Sequence, residues 1–256
     1  MIAREIRLML VALQFLTRIP VRSFDGFEPQ WLDRSAKYFP LIGALVGGIA
    51  AVVMLATSLV MPQPLPMLIG LAAGILLTGA FHEDGLADTA DGLFGGLTRE
   101  RRLEIMKDSR IGTYGVLALM IALGLKATSL SIIDPITAVP ILIAAHTGGR
   151  LATVIAIYLM RYAGDEQAAK VKPLATGMSA GEMLLACILG LTVGLICLNP
   201  VTLGLAAACG FAASAALAFV SKRLIGGYTG DVLGGMEQCF ETLFMVAAVS
   251  IIAGPN

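Results

Sequence analysis

Long apolar stretches alternate with short polar ones along the 256 residues of this chain. An apolar stretch of about 20 residues is long enough to cross a bilayer as an α-helix. We predict about seven spanning helices, at residues 38–60, 67–81, 113–133, 136–160, 182–198, 201–220 and 239–253. The predicted fold class is therefore all-α, a polytopic integral membrane helical bundle that forms a single domain over residues 1–256.

The first twenty residues have a different pattern. Apolar side chains such as Ile6, Met9 and Leu13 recur at helical spacing, and Arg4 and Arg7 lie beside them. No small-residue cleavage site follows, so the stretch does not have the pattern of a signal peptide. We predict a retained amphipathic helix that lies at the cytoplasmic membrane surface.

Composition agrees with a membrane protein and excludes some functions. Hydrophobic residues make up 57% of the chain and charged residues 14%, whereas a soluble domain carries about 25% charged residues. The formal net charge is zero and no basic patch is interleaved with aromatic residues, so no nucleic-acid partner is predicted. None of the four cysteines forms a CxxC pair, which argues against disulfides or a thiolate metal site.

Lys and Arg residues are unevenly distributed between the two sides of the predicted bundle. They concentrate in the N-terminal segment and in the loops after the second, fourth and sixth spans, and the alternate turns carry none. The positive-inside rule therefore places these loops in the cytoplasm. Only Lys126 and Arg150 fall inside spans; we expect Lys126 to snorkel toward the outer end.

The charged residues 82–115 lie between two apolar stretches. In this segment Asp84, Asp88 and Asp91 have i, i+4, i+7 spacing, which places them on one face of a helix. Their mutual repulsion would be relieved by a divalent cation, and hard carboxylate oxygens favour Mg²⁺. We predict these three as metal ligands, with Gly85 and Gly92 leaving room for a bulky ligand. The alternative is a solvated acidic helix end without a ligand.

Further candidates lie in two other motifs. Asp108 and Asp231 could complete the metal site, and Lys107 and Arg110 could bind phosphate oxygens. The alternative for the two basic residues is an ordinary positive-inside flank. The glycine-rich stretch 226–235 exposes backbone N–H groups that can hold an anion.

The remaining predicted site residues are either isolated or adjacent to these motifs. A buried arginine in a span is costly, so Arg150 is predicted to bind an anion or to pair with a buried acid. Additional substrate contacts are predicted at Lys172, Tyr114 and Thr229. Four residues compete for the role of proton acceptor, and the sequence does not rank them: His82, Glu83, Asp84 and Asp91. Acids, a divalent ion and basic residues together favour metal-assisted transfer from a diphosphate donor.

Four stretches also resemble a known family: FLTRIP (15–20), FHEDGLADTADG (81–92), MKDSRIGTYG (106–115) and GGYTGDVLG (226–234). They closely resemble the adenosylcobinamide-GDP ribazoletransferases, also called cobalamin-5′-phosphate synthases, and the resemblance covers essentially the whole chain. It implies transfer of adenosylcobinamide phosphate from adenosylcobinamide-GDP to α-ribazole or its 5′-phosphate, with release of GMP. It also implies Mg²⁺ and a place in the bacterial cytoplasmic (inner) membrane, with the active site facing the cytoplasm.

Two other functions are compatible with acids at a membrane face. A CDP-alcohol phosphatidyltransferase would require an Ala-Arg pair after its first aspartates, but here Ala87 is followed by Asp88. A cation-coupled transporter would bury acids near the middle of the membrane, whereas these lie at the ends of spans. The sequence is compatible with a homo-oligomer but does not determine one.

Overall fold

The computed structural model describes residues 2–21, 28–164 and 178–254. A 3-10 turn at Ala36–Tyr38 joins the second and third α-helices. The α-helices of the described residues are α1 Ile2–Leu16, α2 Pro29–Ser35, α3 Phe39–Ser58, α4 Leu65–Thr78, α5 Phe81–Gly95, α6 Arg99–Met106, α7 Thr113–Ser131, α8 Pro135–Leu159, α9 Ala180–Cys197, α10 Pro200–Ile225 and α11 Gly230–Ala253. No β-strand occurs in these residues, which confirms the all-α class.

Six helical stretches of the described chain are long and apolar enough to cross a membrane. They are α3, extended by α2 to Gln30–Ser58, together with α7, α8, α9, α10 and α11. A seventh span results if α4 and α5 count as one helix with a sharp bend. The predicted polytopic bundle of about seven spans is therefore confirmed.

The bend between α4 and α5 determines where the acidic motif lies. Gly79 and Ala80 both have left-handed backbone angles, with φ of 71° and 59°, and the two helix axes differ in direction by 86°. The backbone N–H of Arg18 donates to the carbonyl of Leu77 at 2.7 Å, and the Arg18 guanidinium occupies the space where a Cβ on Gly79 would be. The FLTRIP stretch therefore fastens this bend.

The sequence predicts a polar loop over residues 221–238, and this prediction is wrong for most of that range. Helix α10 continues to Ile225, and α11 begins at Gly230 instead of near Cys239, so only residues 226–229 connect them. Gly226 ends α10 with a φ of 90°. Val232 and Met236 are buried, and this apolar face extends α11 by more than two turns beyond its predicted start.

The last helix, α11, lies at the centre of the bundle and packs against α5, α7, α8 and α10. Its side chains Phe240, Phe244 and Met245 belong to the largest buried apolar cluster. Helices α3 and α8 approach closely at Gly43 and Gly47, where an added Cβ would collide with the α8 backbone. Small residues serve this purpose in membranes, because lipid supplies no hydrophobic drive for helix association.

Residues 2–16 form the helix that the sequence predicts, but the face that packs on the bundle is not the one formed by Ile6 and Met9. Leu8 and Val11 are buried against the bundle, whereas Ile6 and Met9 are 50% and 37% exposed. The ring of Phe15 packs against Phe39 and Phe81, with ring centroids 5.9 and 5.5 Å away. The C-terminal end of α1 is thus held against the start of α5.

Candidate active site

Helix α5 lies outside the six spanning helices and carries the acidic motif. Its three aspartates differ in environment: Asp84 is exposed, Asp88 is half-buried and Asp91 is buried. Burial, followed by the carboxylates of Asp84, Asp231 and Asp91, raises the pKa of Asp88 to about 7. These carboxylates therefore lie close enough to repel one another when they are charged.

The close approach of α5 and α11 explains why Asp231 joins this face. A Cβ added to Gly85 would lie 2.8 Å from the carbonyl oxygen of Asp231 and 3.1 Å from the Cα of Gly234. Similarly, a Cβ on Gly92 would collide with Met106. The expectation that Gly85 and Gly92 leave room for a ligand is therefore wrong, since neighbouring elements occupy that space.

A cavity of about 500 Å³ opens beside this contact. Its walls come from α6, the start of α11 and the segment after α8, and include Arg99, Leu103, Met106, Lys107, Tyr162, Ala163, Gly164, Thr229, Gly230 and Asp231. Arg99 donates to the carbonyl oxygens of Ile225 and Ala163, both at 2.9 Å, so its guanidinium supports the wall. The ammonium of Lys107 is exposed in the cavity and is the better candidate to bind an anion.

The N-terminus of α11 faces the same cavity. The side chain of Thr229 caps this helix by accepting a hydrogen bond from the backbone N–H of Val232 at 3.2 Å. No atom lies within 4 Å of a Cβ built on Gly230, which leaves the helix end open. Its unpaired N–H groups and the helix dipole both favour a negatively charged group. The anion-binding role predicted for the glycine-rich stretch thus corresponds to a helix N-terminus.

Asp91 has a structural role that the sequence did not indicate. Its two oxygens accept hydrogen bonds from the backbone N–H groups of Gly112 and Gly115, at 2.7 and 2.9 Å. These glycines belong to the N-terminus of α7, whose first N–H groups have no partner within the helix. Asp91 therefore caps α7, which leaves its carboxylate poorly suited to hold a metal or accept a proton.

Asp108 and Arg110 pair with each other on the loop between α6 and α7. The guanidinium of Arg110 donates to both oxygens of Asp108, and the closest contact is 2.7 Å. The side chain and backbone N–H of Arg110 lower the pKa of Asp108 to about 2. Both residues are solvent-exposed in this pair, and the structure does not bring Asp108 to the face formed by Asp84, Asp88 and Asp231.

His82 and Glu83, the other predicted proton acceptors, contact polar side chains of α11. Nδ1 of His82 is 2.9 Å from a carboxylate oxygen of Glu237, and the histidine is 4% exposed. Glu83 accepts a hydrogen bond from the amide of Gln238 at 3.0 Å. Each retains one buried polar atom without a hydrogen-bond partner in the described residues, Nε2 of His82 and Oε2 of Glu83.

Arg150 forms ion pairs with buried acids. Its guanidinium lies 2.7 Å from carboxylate oxygens of both Glu237 and Glu241, and the residue is 1% exposed. The paired alternative is therefore what the structure shows, and the guanidinium is not open to a phosphate. Lys126 does not snorkel: its ammonium points inward and contacts Glu241 at 2.6 Å and Gln238 at 2.7 Å.

The last two predicted substrate contacts lie away from the cavity or outside the described chain. Tyr114 is 51% exposed, with its ring 6.0 Å from that of Phe94, and it does not line the cavity. Lys172 lies outside the described residues.

The carboxylates of the acidic face can be compared with the ligands that a metal ion requires. Within the described chain, no three His, Cys, Asp or Glu residues are close enough to hold an ion by themselves. Mg²⁺ commonly takes only one or two protein carboxylates and completes its shell with waters and substrate phosphates. One or two carboxylates from the set Asp84, Asp88 and Asp231 fit such a site. A site with three protein ligands around one ion does not fit the described residues.

Comparison with known proteins identifies the family. The family model described as cobalamin-5-phosphate synthase matches residues 8–249. An adenosylcobinamide-GDP ribazoletransferase from Leptothrix cholodnii is 43% identical over 93% of this chain and 92% of its own. Proteins of the same name from Shewanella amazonensis and Shewanella baltica are 43% and 39% identical, over 93% and 96% of this chain and 93% and 97% of their own. The chain belongs to the cobalamin-5-phosphate synthase family. No solved structure matches it.

Sequence reasoning missed several buried polar residues of this cobalamin-5-phosphate synthase family member. Glu237, Gln238 and Glu241 lie on α11, and His146 on α8, where its Nδ1 is 2.6 Å from Glu241. A signal was present: two in-span cations require buried acids, and the pair Glu237 and Glu241 has i, i+4 spacing. Starting the last helix at Cys239 hid that spacing.

The arrangement brings opposite charges to one cavity rim in this family member. Asp231, Lys107 and the α11 N-terminus line the cavity, and Asp231 also lies close enough to Asp88 of α5 to interact with it electrostatically. A phosphate chain can be bound by Lys107 and the helix N-terminus directly and by the carboxylates through a divalent ion. The site is therefore suited to a polyphosphate ester.

Proposed function

We propose that this protein transfers adenosylcobinamide phosphate from adenosylcobinamide-GDP to α-ribazole or its 5′-phosphate and releases GMP. The reaction would take place at the cytoplasmic face of the inner membrane. Family membership supports the reaction. The observation that carries the assignment of the site is the contact between α5 and α11, which brings the acidic face of α5 next to Asp231, and Asp231 lines a cavity together with Lys107.

The proposed reaction is a displacement at phosphorus. The acceptor hydroxyl attacks the phosphorus that is joined to cobinamide, and the bond from this phosphorus to the oxygen bridging to GMP breaks. The hydroxyl proton passes to a protein base, and GMP leaves with the bridging oxygen. A bound Mg²⁺ would neutralise the diphosphate oxygens and the charge that develops on GMP.

Different residues are assigned to phosphate binding, cation binding and proton transfer in this proposal. Lys107 and the open N-terminus of α11 bind phosphate oxygens and orient the donor. Asp84 and Asp88 would hold the cation, with Asp231 beside them. We assign the proton-accepting role to His82 or Glu83, because each has a polar atom without a partner.

The first prediction tests the acidic face. In detergent, purified protein is supplied with adenosylcobinamide-GDP, α-ribazole and Mg²⁺, and GMP release is followed. We expect Asp84→Asn and Asp88→Asn each to lower kcat by about two orders of magnitude, because a metal ligand loses its charge. EDTA should abolish the activity, and added Mg²⁺ should restore it.

Glu104→Gln is the matched control. Glu104 is also an exposed acid of the same polar segment, but it pairs with Arg101 at 2.8 Å on α6, so its loss should leave turnover near that of the native protein. Native turnover in both aspartate variants would refute the metal role. Absence of GMP release by the native protein, with CMP release from a CDP-alcohol, would refute the proposed reaction.

A further inference from the structure

A second cavity, of about 370 Å³, lies between α1 and α2, away from the candidate active site. Its lining combines basic and aromatic side chains: Arg4, Arg7, Leu8, Glu28, Gln30, Trp31 and Arg34. Among the described lining residues, three are arginines and one is a glutamate. We define this set of residues as the arginine pocket.

The acid nearest in sequence to these arginines is not available to neutralise them. Glu5 lies on the same helix, but one of its oxygens is 2.6 Å from the ammonium of Lys37 and 2.7 Å from the hydroxyl of Tyr38. Within the described residues, neither Arg4 nor Arg34 has a carboxylate at ion-pair distance. Within the described residues, Arg4 and Arg34 therefore keep their positive charges at this pocket.

The geometry favours a planar or tetrahedral oxyanion. The guanidinium of Arg7 lies 4.7 Å from the centre of the Trp31 ring, which orients it over an aromatic face. Arginine forks bind phosphate through paired N–H groups. Arginines from two helices thus line a cavity of about 370 Å³, which is large enough for a phosphate ester.

Position distinguishes a lipid phosphate from a soluble one. On the same helix, Ile6 and Met9 expose apolar side chains, as an interfacial helix does toward acyl chains. Tryptophan is enriched at this depth of the membrane, and basic pockets at the cytoplasmic surface bind anionic headgroups. We propose that the arginine pocket binds the phosphate of an anionic phospholipid in the cytoplasmic leaflet.

The test counts bound lipid. Purified protein in detergent is titrated with phosphatidylglycerol or phosphatidylcholine, and complexes are resolved by native mass spectrometry. The native protein should bind phosphatidylglycerol about tenfold more tightly, and the double variant Arg4→Gln/Arg34→Gln should lose that preference. Arg4→Gln alone, at an exposed position, should lose part of it without a change in folding.

Arg101→Gln is the matched control, because Arg101 is an exposed arginine on α6 outside the pocket. The Arg101→Gln variant should bind both lipids as the native protein does. Equal binding of the two lipids by the native protein, or an unchanged preference in the double variant, would overturn the proposal. Displacement of phosphatidylglycerol by inorganic phosphate at the same concentration would overturn the lipid source in favour of a soluble phosphate ester. None of these outcomes depends on GMP release, so they are separate from the proposed reaction.

Discussion

At the scale of single residues, identical side chains of one motif have different roles. Asp84 is exposed on the acidic face, whereas Asp91, two turns later on the same helix, is buried and caps α7. Spacing alone places both on one side of α5. What separates them is the neighbouring element: α7 begins directly over Asp91, and its unpaired N–H groups bind that carboxylate.

Replacing Asp91 should therefore affect stability more than chemistry. We expect Asp91→Ala to lower the free energy of unfolding by about 2 kcal/mol, because two backbone N–H groups lose their acceptor. Thermal unfolding in detergent measures this loss, and kcat per folded molecule should change by less than about threefold.

Asp134→Ala supplies the comparison. Asp134 also caps a helix, accepting from the N–H groups of Ile136 and Thr137 at 3.0 Å, but at an exposed site. Its loss should cost less than that of Asp91, about 1 kcal/mol. A large fall in kcat for Asp91→Ala with unchanged stability would restore the catalytic role.

At the scale of elements, the site depends on a contact between two helices. Helix α5 turns away from α4 at Gly79 and Ala80, and its glycine face then meets α11 at Gly85. Deeper in the bundle, Arg150 of α8 and Lys126 of α7 pair with acids of α11. Removing one partner of such a buried pair leaves an uncompensated charge, so these pairs hold α7, α8 and α11 in fixed register beneath the acidic face.

Gly85→Ala should disrupt the site without removing any charged group. The added methyl would lie 2.8 Å from the backbone carbonyl of Asp231, and backbone cannot yield as a flexible side chain can. We expect α5 and α11 to separate and kcat to fall about tenfold or more, since small displacements of positioning groups are costly. GMP release measures the effect.

Gly124→Ala is the control, because a Cβ at Gly124 of α7 meets no atom within 4 Å. This variant should retain native activity. Full activity in Gly85→Ala would show that the α5–α11 contact does not position the acids.

At the scale of the whole molecule, the polar elements gather at one end of the bundle. The bend that carries α5, the N-terminus of α11 and the cavity wall from α6 meet there, and FLTRIP reaches the same bend from α1. The Lys and Arg distribution predicts that this end faces the cytoplasm. A nucleotide donor and a soluble acceptor would then reach the site from the compartment that contains them.

Labelling from one side tests this orientation. In a background with Cys187, Cys197, Cys209 and Cys239 replaced by alanine, Glu104→Cys or Val60→Cys is introduced. A membrane-impermeant maleimide added to intact spheroplasts should label Val60→Cys, on the turn after α3, and spare Glu104→Cys until the membrane is opened. The reverse pattern would place the candidate site outside the cell.

The sequence by itself determined the all-α class, most spans and the motifs of the site. Apolar length and charge asymmetry are local properties of the sequence, and they decide which segments can lie within a bilayer. It also placed Asp84, Asp88 and Asp231 correctly on the same side of the bundle. Only the tertiary structure decided which groups are open to a ligand. Asp91, Asp108 and Arg150 are each bound by a partner, namely the α7 N-terminus, Arg110 and the acids of α11. Whether a polar group is free depends on what packs against it, and that information is distributed over distant segments of the chain.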